Sequence, residues 1–112
     1  MKIAFTTKGD KWDSRMDPRF GRAAWLLVYD EEKDELRSVD NRSISKEAYG
    51  AGPKTAQKLV ELKPDILITG NGPGGNAARV LEKMAVKVFV GAQGMTVTEA
   101  YEACKANNLK TF

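Results

Sequence analysis

Three glycines in the stretch TGNGPGGNA, residues 69–77, stand at the spacing of a phosphate-binding turn: Gly70, Gly72 and Gly75 spell G-x-G-x-x-G. Such a turn brings backbone close to a pyrophosphate and hands it to a helix N-terminus, whose free N–H groups favour negative charge. A dinucleotide site also needs an acidic residue about 20 positions on, at the end of the next strand, to hold the ribose hydroxyls. Here that strand ends Val90-Gly91-Ala92-Gln93-Gly94, without an acid. No Lys-Ser or Lys-Thr follows the glycines, so the P-loop reading fails too. Two readings stay open: a tight turn whose glycines permit unusual backbone angles, and a cradle for some other anion.

A second copy of the pattern weighs on that choice. Gly50-Ala51-Gly52-Pro53 repeats the G-x-G-P of Gly70-Asn71-Gly72-Pro73 twenty residues earlier. Proline suits the first helical position and glycine the cap, so both segments read as helix starts with uncovered N–H groups. Lys8, Lys11, Arg15, Arg19, Arg22 and Lys54 are the basic side chains that could add to an anion site there.

Other chemistries have less to work with. The chain has no histidine, the commonest general base and metal ligand, and a single cysteine, Cys104, on the apolar stripe of the last helix. Cys104 reads as a small buried hydrophobe. Met16, in a long loop beside Asp17, is the better soft ligand. Two-metal nuclease chemistry needs clustered carboxylates, yet the first strand, KIAFTT, has none, and Asp10, Asp13 and Asp17 lie beyond it. No catalytic residue is assigned, and the protein is expected not to be an enzyme.

The elements that must position these groups follow from pattern. Residues 2–6 read as a strand, 8–22 as a polar loop of about 15 residues, AWLLVY at 24–29 as a strong second strand, and 36–40 as a third. Long loops in compact domains are usually functional or disordered. A helix then ends at Lys63-Pro64, because the residue before proline is pushed out of the helical region. A strand at 65–69, a helix from about Pro73 to Met84, and a strand at 86–90 come next. The last helix opens with Thr96-Val97-Thr98-Glu99, a capping-box spacing. The order is βββαβαβα: one α/β domain over residues 1–112, with a mixed sheet and helices on both faces.

The motifs taken together resemble a known family. Met16-Asp17-Pro18-Arg19-Phe20-Gly21-Arg22-Ala23, then Gly50-Ala51-Gly52, Gly70-Asn71-Gly72-Pro73-Gly74-Gly75-Asn76-Ala77, Leu81 before Val86-Lys87-Val88, and Gly94-Met95-Thr96-Val97 before Glu99-Ala100 occur in order along nearly the whole chain. The set is similar to the dinitrogenase iron–molybdenum cofactor biosynthesis family, the NifX-like domains. The resemblance implies a ribonuclease-H-like fold with a five-stranded sheet. It also implies a non-enzymatic role, holding or transferring a molybdenum- or iron–sulfur-containing cluster without covalent attachment. The cofactor-binding residues it implies are Met16, Asp17, Arg19, Phe20, Gly21 and Arg22 in the loop, Gly50, Ala51 and Gly52, and Asn71, Gly72, Gly74, Gly75 and Asn76. Some members carry histidine just before the first Gly-x-Gly; here Glu47-Ala48-Tyr49 stands there, and the metal ligands are left unassigned.

Each of these residues also has a purely structural role open to it. Phe20 can plug the loop onto the core, Gly21 can permit the turn, Asp17 can brace the loop through its carboxylate, and Arg19 and Arg22 can be solvated. Trp12 reads as a cover for the loop or a partner contact, and Trp25 and Tyr29 share one face of the second strand.

The net charge of +3 is mild and interleaved, without the basic stripe of a nucleic-acid binder. No apolar run approaches the ~20 residues of a membrane span, and the N-terminus lacks a leader pattern. The expected setting is the cytoplasm, and the expected partners are an anionic metallocluster or small anion and a protein that donates or accepts the cluster. The alternatives are a protein-interaction or regulatory module, and a binder of a phosphorylated small molecule at the same helix starts.

Overall fold

The computed structural model describes residues 1–112. It has strands β1 (Lys2–Thr7), β2 (Trp25–Asp30), β3 (Glu35–Asp40), β4 (Ile66–Ile68), β5 (Lys87–Val90) and β6 (Lys110–Thr111), with helices α1 (Arg42–Ser45), α2 (Ala51–Glu61), α3 (Gly75–Lys83) and α4 (Val97–Lys105). All strands join one sheet in the order β3-β2-β1-β4-β5-β6. β1, β2 and β3 form an antiparallel meander, β1-β4-β5 are parallel, and β6 returns antiparallel on β5. The mixed sheet matches expectation, but it has six strands, not five. β6 is two residues long, too short to leave an alternating pattern in the sequence, and it exists because Lys110 pairs with Val90 and Thr111 with Phe89.

The central strands are apolar on both sides because both sides are covered. Leu26, Val28, Ala4, Leu67 and Val88 face one core with Ala56 and Leu59 of α2 and Ala77 and Leu81 of α3. Ile3, Phe5, Leu27 and Ile68 face the other, with Val97, Ala100 and Cys104 of α4. Adjacent Leu26 and Leu27 are both fully buried, on opposite faces, each side chain stabilising the fold by about 1.5–3 kcal/mol. That is why AWLLVY reads as a continuous run instead of an alternating one.

Helix ends follow local chemistry. Thr96 and Glu99 form the expected capping box, with Glu99 N–H donating to Thr96 Oγ1 (3.1 Å) and Thr96 N–H to Glu99 Oε1 (2.8 Å). α2 ends at Glu61; Lys63 takes a left-handed φ of 55° just before Pro64. The two G-x-G-P segments, by contrast, do not start their helices in the same register. Gly50 caps α2, which puts Pro53 third inside the helix, whereas Gly74 caps α3 and Pro73 lies outside it. Proline is tolerated at each place because neither needs a backbone donor in the first turn. α1 has four residues and escaped the sequence pattern for the same reason as β6.

Candidate functional site

The long loop folds across the carboxyl ends of the central strands. Its first half turns back on β1, with Thr7 bridging Met16, and continues to the N-cap of α4, with Arg15 bridging Thr96 and Met16 N–H donating to Met95 O. The indole of Trp12 meets Phe5, Tyr29 and Tyr101 edge-on at 6.4, 4.9 and 6.0 Å between centroids, so it fastens the loop tip. The chain then crosses the carboxyl ends of β1 and β4. Asp17 N–H donates to Thr6 O, Asn71 N–H donates to Pro18 O, and a Cβ on Gly70 would lie 2.6 Å from Pro18 Cα. Below this crossing the hydroxyls of Thr6 and Thr69 share a buried hydrogen bond of 2.6 Å. Ligands of open α/β sheets sit outside the carboxyl ends where the strand order reverses. Here that crevice, between β1 and β4, is filled by the loop itself.

The second half of the loop descends on the face of α2 and α3. Phe20 enters the core beneath them, and Gly21 rests on the backbone of Gly52. Asp17 is buried, and its Oδ1 accepts from Arg19 N–H at 2.9 Å, which fixes the turn. The Arg19 side chain stays 65% exposed, with Nε only 3.7 Å from Asp17 Oδ1. Arg22 is committed to structure: its Nη1 donates to Ser45 O (2.8 Å) and Glu47 O (2.6 Å), holding the segment that leads into Gly50. Lys54 pairs with Glu47, and Arg15 Nη1 donates to Gly94 O on the α4 side.

The two helix starts come together under this loop. A Cβ on Gly52 would lie 3.8 Å from that of Ala77 in α3. Neither N-cap, Gly50 or Gly74, supplies a side-chain hydrogen bond. The first helical bonds are Lys54 N–H to Gly50 O and Ala78 N–H to Gly74 O. The N–H groups of Ala51, Gly52, Gly75, Asn76 and Ala77 therefore have no intrahelical acceptor. A Cβ at Gly50, Gly74 or Gly75 would meet nothing within 4 Å, so the backbone is open to a ligand. Such a set of donors suits an anion with several acceptor atoms. Helix dipoles alone contribute about 0.3–1 kcal/mol each, and hydrogen bonds to a charged acceptor about 1.5–3 kcal/mol each. The N–H groups would therefore supply most of the binding.

Not every residue that the motifs suggested is part of this arrangement. Met16 is 1% exposed and packs in the core beneath α4, on the opposite face of the sheet from the starts of α2 and α3. Phe20 is buried likewise and supports the loop from below. Asn71 commits its backbone N–H to Pro18 and lines a separate cleft with Gln93 and Asn108. Gly72, at φ 94°, packs against the Phe112 ring. Cys104 is buried, and desolvation pushes its thiol up, away from the thiolate a metal would need. No three Cys, Asp or Glu side chains gather as a metal cage. The signals missed in the sequence were the hydroxyl pair Thr6–Thr69 and the backbone of Pro18, which only strand adjacency brings into view.

The geometry has relatives. The high-resolution structure of the apo form of the orange protein from Desulfovibrio gigas superposes with a TM-score of 0.91 at 32% identity, over 99% of this chain and 92% of that one. The NMR structure of a Thermotoga protein of the DUF35 family, described provisionally as NifB, superposes with a TM-score of 0.84 at 34% identity, over 98% and 91%. No curated protein matches the chain. The family model described as "Dinitrogenase iron-molybdenum cofactor" matches residues 1–107. With that match spanning the loop, both helix starts and the capping box of α4, the chain belongs to the dinitrogenase iron–molybdenum cofactor family.

Proposed function

We propose that the protein is a non-catalytic carrier for an anionic molybdenum- or iron–sulfur-containing cluster or its precursor, held non-covalently at the N-terminal ends of α2 and α3. The observation that carries this reading is the pair of uncapped helix starts, side by side at Gly52 and Ala77 and open at Gly50, Gly74 and Gly75. A cluster whose metal sites are already filled by its own sulfides, as in a thiomolybdate, presents sulfur acceptors outward, so N–H donors can hold it without thiolates or imidazoles from the chain. Ala51, Gly75, Asn76 and Ala77 would donate to it, the Gly52 N–H lying under Gly21, and the exposed Arg19 guanidinium would add a positive charge. Asp17, Gly21 and Arg22 position the loop and the segment before Gly50 and do not touch the cargo. Membership of the family and the likeness to a protein solved in an apo form support the cargo.

The ribonuclease-H-like description belongs to this reading, supported by the order β3-β2-β1-β4-β5, with β6 an addition at the edge. A cytoplasmic setting and transfer of the cargo to or from a second protein complete it. No helix is long and apolar enough to cross a membrane. A phosphorylated small molecule is the second reading, because backbone donors at helix starts hold any oxyanion of suitable size.

The test is an anaerobic titration of the backbone amides by NMR, with tetrathiomolybdate, with and without copper, and with phosphate as control. Selective, saturable shifts at 50–54 and 72–77 with the thiomolybdate are expected. An equal response to phosphate would favour the second reading, and no response to any anion would overturn both.

A further inference from the structure

A cleft of about 470 Å³, floored in part by Val90 and Leu109, opens beside the glycine-rich turn at the carboxyl ends of the parallel strands β4 and β5. Its walls come from three connections: Gly70 and Asn71 after β4, Gly91 and Gln93 after β5, and Asn108 with Lys110 leading into β6. Backbone hydrogen bonds preform these walls. Gly91 N–H donates to Gly70 O (2.9 Å), Asn71 N–H to Pro18 O (2.9 Å) and Asn108 N–H to Ala103 O (2.8 Å), and Lys110 is paired with Val90. The side chains of Asn71, Gln93, Asn108 and Lys110 have no partner in the chain; its ion pairs all lie elsewhere. No acidic residue lines the cleft. The volume is that of a small-molecule site, and the cleft lies one strand away from the loop-filled crevice between β1 and β4.

Three carboxamides, each both donor and acceptor, match hydroxyl groups, which also donate and accept. One ammonium without a counter-charge matches one anionic group. We propose that this cleft binds a small monoanionic polyhydroxy acid, with its carboxylate at Lys110 and its hydroxyls across Asn71, Gln93 and Asn108. The site is separate from the helix starts and does not depend on the cluster reading, since none of these side chains serves there.

D-Gluconate is the probe, followed by NMR of the backbone and side-chain amides of the full chain, with glucose and acetate as controls. The expected result is a saturable shift of the Asn71, Gln93 and Asn108 carboxamides with gluconate. Glucose, lacking the charge, and acetate, lacking the hydroxyls, should each bind about tenfold more weakly. Lys110→Gln should lower gluconate affinity about tenfold and leave the glucose response unchanged, whereas Gln93→Ala should weaken both. Both positions are exposed, and the same spectra report whether each variant keeps its fold. Absence of a saturable gluconate shift, equal binding of acetate, or full affinity in Lys110→Gln would each overturn the proposal.

Discussion

A Cβ placed on Gly21 would lie 2.8 Å from both the N and the Cα of Gly52, so the loop into β2 rests backbone against backbone on the first turn of α2. This contact decides how far the loop stands from the helix start, and with it the shape of the candidate anion site. The two glycines differ in what surrounds them. Gly21 faces main chain that cannot swing away, whereas Gly52 faces only the Ala77 methyl at ordinary contact distance.

Gly21→Ala should therefore destabilise the protein by about 1–3 kcal/mol, as overpacking against backbone does. Gly52→Ala should be neutral or stabilise α2 by about 0.5–1 kcal/mol, the usual gain over glycine inside a helix. Urea-unfolding midpoints of the two variants measure this directly. A Gly21→Ala midpoint equal to wild type would mean that the loop moves off Gly52 without cost.

The two arginines of the loop should separate stability from binding. Arg22→Ala removes the donors to Ser45 O and Glu47 O and should cost about 1–3 kcal/mol while loosening residues 45–50. Arg19→Ala, at an exposed side chain, should change stability by less than about 0.5 kcal/mol yet weaken tetrathiomolybdate binding. Unfolding midpoints and the anaerobic titration, run on both variants, check the pair. Equal thiomolybdate affinity in Arg19→Ala would remove that side chain from the site.

Gly72 holds φ 94°, and a Cβ there would lie 2.7 Å from the Phe112 ring. Gly72→Ala should cost about 1–2 kcal/mol for the left-handed backbone and displace the ring. Amide hydrogen exchange at Lys110–Phe112 should then speed up. Adding Phe112→Ala relieves the clash but not the backbone strain, so the double variant should recover only part of the loss. Full recovery would show that the ring contact alone set the cost.

The aromatic cluster that fastens Trp12 carries a pH dependence. Hydrogen bonding to Asp34 holds the Tyr29 phenol up at about 12, and hydrogen bonding to Glu31 holds that of Tyr101 up at about 12. The usual value is 10.0. Between these values the unfolded chain has lost protons that the folded chain keeps. Stability present below pH 10 therefore falls as pH rises towards about 12. Tyrosinate absorbance should show two phenols ionising late, together with a declining unfolding midpoint. In Tyr101→Phe one late phenol should disappear; two late phenols persisting would move the assignment elsewhere.

Much of this protein is written locally. The apolar runs marked the central strands because strands buried on both faces need unbroken apolar sequence, whereas the mostly exposed β3 showed only a weak alternation. Thr96-Val97-Thr98-Glu99 announced the start of α4 because a capping box is made within four residues. The glycines announced helix starts without side-chain caps, since no other residue leaves backbone so bare. Other features depend on residues far apart in the chain. β6 exists only by pairing with β5, and the matching G-x-G-P segments diverge in helical register because their surroundings differ. Met16, a reasonable ligand by its neighbours, is buried under α4 because the loop crosses from one face of the sheet to the other at Asp17 and Pro18. The sequence by itself determined the family, the mixed α/β class and the two glycine helix starts, all carried by short-range spacing. Only the tertiary structure decided which loop residues reach those starts, because that depends on the path of a chain crossing between β1 and β4.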